Sequence, residues 1–296
     1  MVLWVEATKD IGDTRRLRRM AVSFVGSVSS LYTTSVLIKD LMGIGNLENA
    51  CKTYWPALLL IGVVIALVVN RERTLFVDTV ADTGIQVETK VGNLFSINAS
   101  SFVIPTNTFF RTKVDNNYIR YESVQGQFQR KVYGGSTRRL DAAIRKSLKE
   151  QGRVGVPASD RIGEVLRYPV GTVAKVDYDG KHYYFLAMND VNKDGKPTGQ
   201  SYDNVKKALE SLEHAILTFG HCDTLAMPLI GTGHAAIKDA SCERVAMEIV
   251  DEFVDCREQL ARKVVVCVSP RDYVDGRINF KRLAKYIEYR CEFFRG

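Results

Sequence analysis

Two apolar runs stand near the N-terminus, and after them short apolar segments alternate with amphipathic ones to the end of the chain. Met20–Ile38 has spanning length and no charged residue, although seven Ser and Thr side chains dilute it. Residues 57–69 are uninterrupted apolar sequence, preceded by the aromatic pair Tyr54 and Trp55. Because a spanning helix needs about 20 apolar residues and aromatic side chains gather at membrane interfaces, the pattern predicts a two-helix transmembrane hairpin.

Two alternatives remain for these runs. The second could be a buried core helix, and the first an amphipathic helix lying at the interface. Four arginines within residues 15–19, together with Arg71 and Arg73, bracket the hairpin, and the positive-inside rule then keeps both chain ends cytoplasmic. We therefore predict an inner-membrane segment over residues 1–74, with helices at about 20–38 and 54–70, and a ligand-sensing domain over residues 75–296.

The second part of the chain has the pattern of an α/β domain. Short β-branched or apolar runs predict strands, and helical spacing of apolar residues predicts helices between them. The strands are expected at 102–104, 172–176, 183–188, 224–230 and 264–268, and the helices at 140–148, 205–219 and 245–253. Such alternation predicts a mixed sheet with helices on both faces, in which a ligand binds at the carboxyl ends of the strands.

Composition narrows the partners of this domain. The net charge of +7 suits a phosphate-bearing ligand or an anionic inner leaflet, but the basic residues are spread along the sequence. No Lys/Arg stripe with interleaved aromatic residues is present, so nucleic acid is not an expected partner. The six cysteines form no Cys-x-x-Cys pair and have no histidine at metal spacing, so we expect reduced thiols and no metal site.

Two loops should lie at the carboxyl ends of the strands. The first contains Thr106, Asn107 and Thr108, followed after an insertion by Gln125, Gly126, Gln127 and Phe128. The second contains Leu229, Ile230, Gly231, Thr232, Gly233 and His234. Glycines allow backbone N–H groups to approach phosphate oxygens, although a single Gly-x-Gly is equally typical of a structural turn.

These segments resemble macro domains, which bind ADP-ribose. Residues 227–233 are similar to the second ligand loop of that family, and Gly92-Asn93-Leu94-Phe95 is similar to the segment that opens its ligand strand. The resemblance extends from Val91 to about Arg290. With residues 104–110, 126–128 and 184–187, the chain most resembles the divergent macro domain of Thoeris antiphage effectors, in their membrane-hairpin branch.

The resemblance implies a function and a partner. A companion TIR-domain protein would consume NAD and release an ADP-ribose-based signal, a histidine conjugate, which the macro domain senses. No cofactor is expected besides this ligand, and the effector would form a homo-oligomer that disrupts the inner membrane. The implied ligand-binding residues are Asn93, Thr106, Asn107, Thr108, Gln125, Gly126, Gln127, Phe128, Leu229, Ile230, Gly231, Thr232, Gly233 and His234.

Departures from the family pattern argue against catalysis. Asn93 stands where the family has an acid that accepts from the adenine amino group, so it is either an adenine contact or a turn residue. Hydrolytic macro domains share an Asn-Ala-Ala-Asn signature, whereas Asn107 stands alone in Pro105-Thr106-Asn107-Thr108. The glycine triplet of the family's first ligand loop is also missing. His234 could act on a distal ribose or face solvent. We therefore expect a binding protein and not an enzyme.

Other motifs leave open alternatives. Asp177, Asp179, Asp190, Asp194 and Asp203 could bind a metal but fit no calcium-loop pattern and suit turns. Gly134-Gly135-Ser136 could hold a phosphate or simply cap a helix. A membrane-anchored ADP-ribosyl hydrolase and a scaffold that recruits ADP-ribosylated proteins remain the alternative functions.

Overall fold

The structure is a computed structural model that describes residues 14–42, 53–69, 74–115, 119–160, 163–192, 197–232, 237, 239–256 and 258–293. The chain divides into two compact units, Met1–Arg73 and Thr74–Gly296. Each unit has its own packing and is considered by itself.

Two helices form the described part of the first unit, α1 (Thr14–Met42) and α2 (Trp55–Val69). They meet where α2 carries small residues: Gly62 and Ala66 are buried, and a Cβ atom on Gly62 would lie 2.5 Å from Cγ2 of Val28. Small residues four positions apart let two helix backbones approach closely, which is how helices associate where water does not drive packing. The remaining surface of α2 is apolar and exposed.

One of the two helices is long enough to cross a membrane. Within α1, Met20–Ile38 meets the length and composition of a span. By contrast, α2 has 15 residues and rises about 22 Å, less than the roughly 30 Å of a hydrocarbon core. The predicted hairpin of two transmembrane helices is therefore not confirmed, and the structure supports one candidate span. Residue 70, the last of the predicted second helix, lies outside the described residues.

The described part of the second unit contains ten strands: β1 (Leu75–Thr79), β2 (Gln86–Val91), β3 (Ser101–Asn107), β4 (Val156–Asp160), β5 (Gly163–Arg167), β6 (Val173–Tyr178), β7 (Lys181–Val191), β8 (Pro197–Thr198), β9 (Cys222–Pro228) and β10 (Ala261–Val268). The main sheet has the order β1-β2-β10-β9-β3-β7-β6, with β8 paired to β7. Within this order, the five strands β2, β10, β9, β3 and β7 are parallel to one another. Strand β1 is antiparallel to β2, and β6 and β8 are antiparallel to β7. The predicted mixed sheet is confirmed.

Helices cover both faces of this sheet, as predicted. They are α3 (Val124–Gln127), α4 (Thr137–Glu150), α5 (Tyr202–Phe219), α6 (Cys242–Asp255), α7 (Pro270–Val274) and α8 (Phe280–Phe293). Because successive strand residues point to opposite faces, β7 sends Tyr184 and Leu186 to a core with α5, α6 and α8. It sends Tyr183 and Phe185 to a second core with α4.

Two open alternatives are explained by the fold. Asp179-Gly180 forms the two-residue turn between β6 and β7, and Asp177 contacts His182 and Lys175. Ser136 occupies the N-cap position of α4, although its side chain makes no capping hydrogen bond. Asp177 and the Asp179-Gly180 turn therefore have structural roles, whereas the side chain of Ser136 precedes α4 without bonding to its end. The predicted turn at Asp194 lies outside the described residues.

Candidate functional site

The carboxyl ends of five parallel strands form one edge of the sheet. In the order β2, β10, β9, β3 and β7, they lie about 4.8 Å apart and span about 19 Å. The predicted ligand loops leave this edge at neighbouring strands, because β3 pairs directly with β9. In open α/β sheets such an edge is where ligands bind.

The loop after β3 is organised by Asn107. Its side-chain oxygen accepts hydrogen bonds from the backbone N–H groups of Phe109 (3.0 Å) and Arg111 (3.4 Å), so the side chain closes a local turn. Its carboxamide nitrogen donates to no other described residue, although Asn107 is only 7% exposed. An oriented donor that lies at the strand ends is therefore available to a ligand.

The backbone is strained next to this donor. Phe110 has φ 50°, a left-handed conformation that a bulky residue rarely adopts. Its ring packs edge-on against Tyr168 with centroids 5.6 Å apart, and its N–H donates to the carbonyl of Asn107. Such strain persists only where surrounding packing holds it, and it is common at ligand sites.

The short helix α3 is attached to the same edge by amide side chains. Gln125 is buried; its Oε1 accepts from the hydroxyl of Thr106 (3.2 Å), and its Nε2 donates to the carbonyl of Arg111 (2.7 Å). Gln127 accepts from the Nδ2 of Asn93 (2.6 Å). These bonds connect the segment after β2 and the loop after β3 to one helix, so three of the predicted site segments are joined by side-chain hydrogen bonds.

Asn93 has the capping role that was one of its two alternatives. Its Oδ1 accepts from the N–H of Phe95 at 2.9 Å and so caps the 3-10 turn Leu94–Ser96. The oxygen retains a second lone pair, and the residue is exposed directly beyond β2. Capping fixes the orientation of the amide and leaves one acceptor position for an adenine amino group.

The loop after β9 begins with a tight turn. Gly231 has φ +71°, which favours glycine, and the hydroxyl of Thr232 donates to the carbonyl of Leu229 at 2.8 Å. The loop returns at Ile237, whose N–H donates to the carbonyl of Gly231 (3.1 Å). Gly233 and His234 lie outside the described residues, so the proposed roles of both stay predictions.

Three residues of the predicted site belong to the core. Phe128 is 0% exposed and its ring contacts those of Phe95, Tyr133, Tyr183 and Phe185. Leu229 and Ile230 are likewise buried in the core with α5 and α6. Their side chains offer a ligand little or no surface, because apolar residues at a strand end pack beneath the loops that they support. They position the site through their backbone.

Sequence reasoning missed a second group of residues beside Thr108. The hairpin of β4 and β5 brings Arg167 and Tyr168 to the end of β7, where a side pocket of about 310 Å³ opens. Asp190 accepts from the hydroxyl of Thr108 (2.8 Å) and pairs with the guanidinium of Arg167. The sequence of the hairpin has no long apolar pattern that would predict its strands. Only the opposite charges of Arg167, in β5, and Asp190, in β7, could have indicated that the two elements meet.

A larger cavity of about 490 Å³ lies between α5 and α6, in the helical layer on one face of the sheet. Its lining consists mainly of carboxylates: Glu210, Glu213, Glu248, Asp251, Glu252, Asp255 and Glu258. An anionic nucleotide would be repelled there, and the described residues hold no group of three or more side chains suited to a metal ion. This cavity is therefore not the candidate ligand site.

Crowding of these carboxylates predicts a pH dependence of stability. Burial, a hydrogen bond with Glu213 and the charges of Glu213, Glu210 and Glu248 raise the pKa of Glu252 from 4.5 to about 8. Between those values the folded protein keeps a proton that the unfolded chain releases, so the free energy of unfolding falls as pH rises.

Urea unfolding at a series of pH values measures this effect. Glu252→Gln should flatten the decline between about pH 5 and 8, because the amide cannot ionise. Glu258→Gln, at an exposed position on the same cavity, is the control and should leave the decline unchanged. A decline that is equally steep without Glu252 would show that another group carries it.

The glycine of α3 predicts a second stability effect. A Cβ atom on Gly126 would lie 2.2 Å from the carbonyl oxygen of Arg120, a backbone atom that cannot move aside. Gly126→Ala should therefore cost about 1–3 kcal/mol in chemical unfolding. Gly92→Ala is the matched control, since its new Cβ atom would meet nothing nearer than 3.9 Å. Equal stability of the two variants would contradict the packing.

Comparisons with known proteins place this geometry in a family. A family model described as Thoeris protein ThsA, Macro domain, matches residues 87–269. Thoeris protein ThsA of Bacillus amyloliquefaciens (strain Y2) is 24% identical over 233 residues, which are 76% of this chain and 73% of that protein. The matched region contains every described strand from β3 to β9.

Solved structures with a similar arrangement are macrodomains. That of Oceanobacillus iheyensis with ADP is 11% identical, covers 74% of this chain and 95% of its own, and has a TM-score of 0.46. That of Trypanosoma brucei in complex with ADP-ribose is 11% identical, covers 67% of this chain and 68% of its own, and has a TM-score of 0.44.

Proposed function

The chain belongs to the family of Thoeris ThsA macro domains, and we propose that it is an antiphage defence effector whose domain senses an ADP-ribose-derived signal and acts on a membrane. The observation that carries the proposal is the adjacency of two loops: residues 106–110 and 229–237 leave neighbouring parallel strands at one sheet edge. One loop supplies a free amide donor, and the other a glycine turn.

The strand order gives the ligand a direction along this edge. An adenine at Asn93 would lie beyond β2, the pyrophosphate would lie over the Gly231 turn beyond β9, and the distal ribose would lie at Asn107 beyond β3. Glycine N–H groups and a turn of positive φ suit phosphate oxygens. The free carboxamide nitrogen of Asn107 suits a ribose hydroxyl, which accepts as well as donates.

We propose binding without turnover. Asp190, the carboxylate that contacts Thr108 in the β3 loop, is also engaged by Arg167 and by the N–H of Val191, so it is not free to act as a base. The signal is proposed to be a histidine conjugate of ADP-ribose made by a TIR-domain protein. A membrane-anchored hydrolase and a scaffold for ADP-ribosylated proteins remain the alternatives.

The membrane part of the proposal rests on the first unit. Met20–Ile38 is a candidate span, and its hydroxyls are compatible with lipid where they bond within the helix, as Ser27 does to the carbonyl of Ser23. Ser30 and Thr34 are exposed, whereas Ser27 is half-buried. We propose an inner-membrane protein with both chain ends cytoplasmic, whose ligand favours an oligomer in which the exposed polar face of α1 is assembled.

A thermal-shift screen of the full-length protein tests the sensing function. NAD, ADP-ribose and amino-acid conjugates of ADP-ribose are the probes, because a ligand that binds only the folded state raises the unfolding temperature. We expect ADP-ribose and its histidine conjugate to raise it and NAD to raise it less. If no probe raises it, the sensing function is wrong; if ADP-ribose compounds are consumed, the hydrolase replaces it.

Removing the free donor should weaken binding. Asn107→Ala is expected to lower the affinity for ADP-ribose about tenfold to a hundredfold, which corresponds to the loss of a buried polar partner of about 1–3 kcal/mol. Titration calorimetry measures the change. Asn98→Ala, at an exposed position before β3, is the control and should bind normally. Unchanged affinity of the Asn107 variant would place the distal ribose elsewhere.

A further inference from the structure

The two helical layers of the domain carry opposite charge. Helix α4 packs its apolar side on one face of the sheet and exposes a row of basic residues: Arg138, Arg139, Arg145, Lys146 and Lys149. Helices α5 and α6, on the opposite face, carry the carboxylates that line the acidic cavity. The basic residues of α4 therefore form one positive surface, on the face of the sheet opposite the carboxylates.

The charges on α4 are mostly uncompensated. Lys146 pairs with Glu150 at 3.8 Å, and Asp141 is occupied by the hydroxyl of Thr112. Within the described ranges, no ion pair is found for Arg138, Arg145 or Lys149. Lys131 and Arg153, just before and after the helix, are also exposed. A concentrated, unpaired positive surface indicates an anionic partner.

The shape of this surface selects the kind of partner. Arg138, Ala142, Arg145 and Lys149 follow the i, i+4, i+7, i+11 spacing of one helix face, a convex ridge about 16 Å long. A convex ridge does not enclose a single phosphate, but it can lie against an extended array of them. The ring of Tyr133, over which Arg139 lies, is only 7% exposed, so it offers no platform on which nucleic-acid bases could stack.

We infer that the exposed face of α4, the basic ridge, docks on the anionic headgroups of a bilayer. The inference rests on the membrane attachment in the proposed function, because attachment raises the local concentration of the domain at the lipid surface. Phosphate groups there attract Lys and Arg within a Debye length. The carboxylates on α5 and α6 are repelled, so the domain has one preferred orientation.

A fluorescent label in the ridge tests this. In full-length protein with Cys51→Ser, Ala142→Cys places a label at the exposed centre of the ridge, because the other cysteines are buried. The protein is reconstituted in phosphatidylcholine vesicles with or without phosphatidylglycerol, both containing brominated lipid as quencher. We expect roughly twofold stronger quenching with phosphatidylglycerol, lost at high salt. A label at Thr218→Cys on α5 should show no difference.

Charge reversal provides the matched variant. Arg138→Glu, Arg145→Glu and Lys149→Glu together should abolish the lipid-dependent quenching. If this triple variant does not fold, the variant with Gln at the same three positions replaces it and should abolish the quenching too. Docking would be overturned if the unchanged ridge gave equal quenching in both vesicle types. It would also be overturned if a folded triple variant kept the stronger quenching with phosphatidylglycerol. A ridge-dependent mobility shift with RNA, without lipid-dependent quenching, would assign the ridge to nucleic acid instead.

Vesicle flotation separates the two proposals. Flotation with phosphatidylcholine vesicles at high salt reports membrane insertion, whereas flotation only with phosphatidylglycerol at low salt reports the basic ridge. The first result without quenching would leave the proposed function standing and remove docking. The second result alone would remove insertion and support docking.

Discussion

Replacing Gly231 with valine is expected to lower the affinity for ADP-ribose at least about a hundredfold, which corresponds to about 2.7 kcal/mol. The glycine has φ +71°, a conformation that a β-branched residue rarely adopts, and its new Cβ atom would lie 2.6 Å from Cδ1 of Ile237. The turn must then open where phosphate would approach the backbone. Titration calorimetry of the full-length protein measures the loss.

A matched variant separates the site from general strain. Gly180 has φ +69° in the β6–β7 turn, with nothing within 4 Å of its added Cβ atom. Because it precedes β7, it lies at the sheet edge opposite the carboxyl ends of the parallel strands. Gly180→Val should cost similar backbone energy and leave affinity intact. If both variants lose affinity equally, the effect is one of stability; if neither does, phosphate does not contact the Gly231 turn.

Replacing Gly62 with leucine should abolish ligand-dependent membrane damage while leaving ligand affinity unchanged. The Cβ atom of any larger residue would lie 2.5 Å from Cγ2 of Val28 and 3.2 Å from the ring of Phe24, so α1 and α2 could not keep their close contact. Dye uptake and membrane potential of cells supplied with the ligand measure the effect, which should fall to the level of cells without the protein.

The control for this variant is Val63→Leu. Val63 is 43% exposed on α2, so a larger side chain there does not enter the contact with α1. Its dye uptake should match that of the unchanged protein. Membrane damage that persists in the Gly62 variant would show that the helix contact has no part in the response, and damage lost in both would indicate sensitivity of the whole helix.

The parts of the fold that sequence could predict are those with strong periodicity. The run 183–188 lies in β7, and the run 224–230 lies in β9 up to Pro228, where the strand ends two residues earlier than predicted. Helices α4, α5 and α6 alternate apolar and polar residues at helical spacing. β2 was missed because Glu88 and Lys90 interrupt its apolar residues, although Glu88 is buried beside Lys263. A local pattern does not contain this ion pair, which is formed with a residue far away in the sequence.

The site was predictable in its loops but not in its side-chain roles. A strand followed by Gly-Thr-Gly predicts a turn, and Gly231 forms one. Phe128 was expected at the ligand because residues 126–128 resemble a segment of the family, yet its ring lies among four other aromatic rings, since apolar surface is more stable away from water. The donor left free on Asn107 depends on which atoms its own turn consumes, and no sequence pattern contains that information.

Hydrogen exchange of the full-length protein with and without ADP-ribose tests most directly whether the sheet edge is the sensing site. We expect slower amide exchange in residues 106–111 and 229–237 when the ligand saturates the protein, because contacts with the ligand reduce local opening of the backbone. Binding detected by calorimetry without protection of these two segments, or with protection centred on the acidic cavity between α5 and α6, would contradict it.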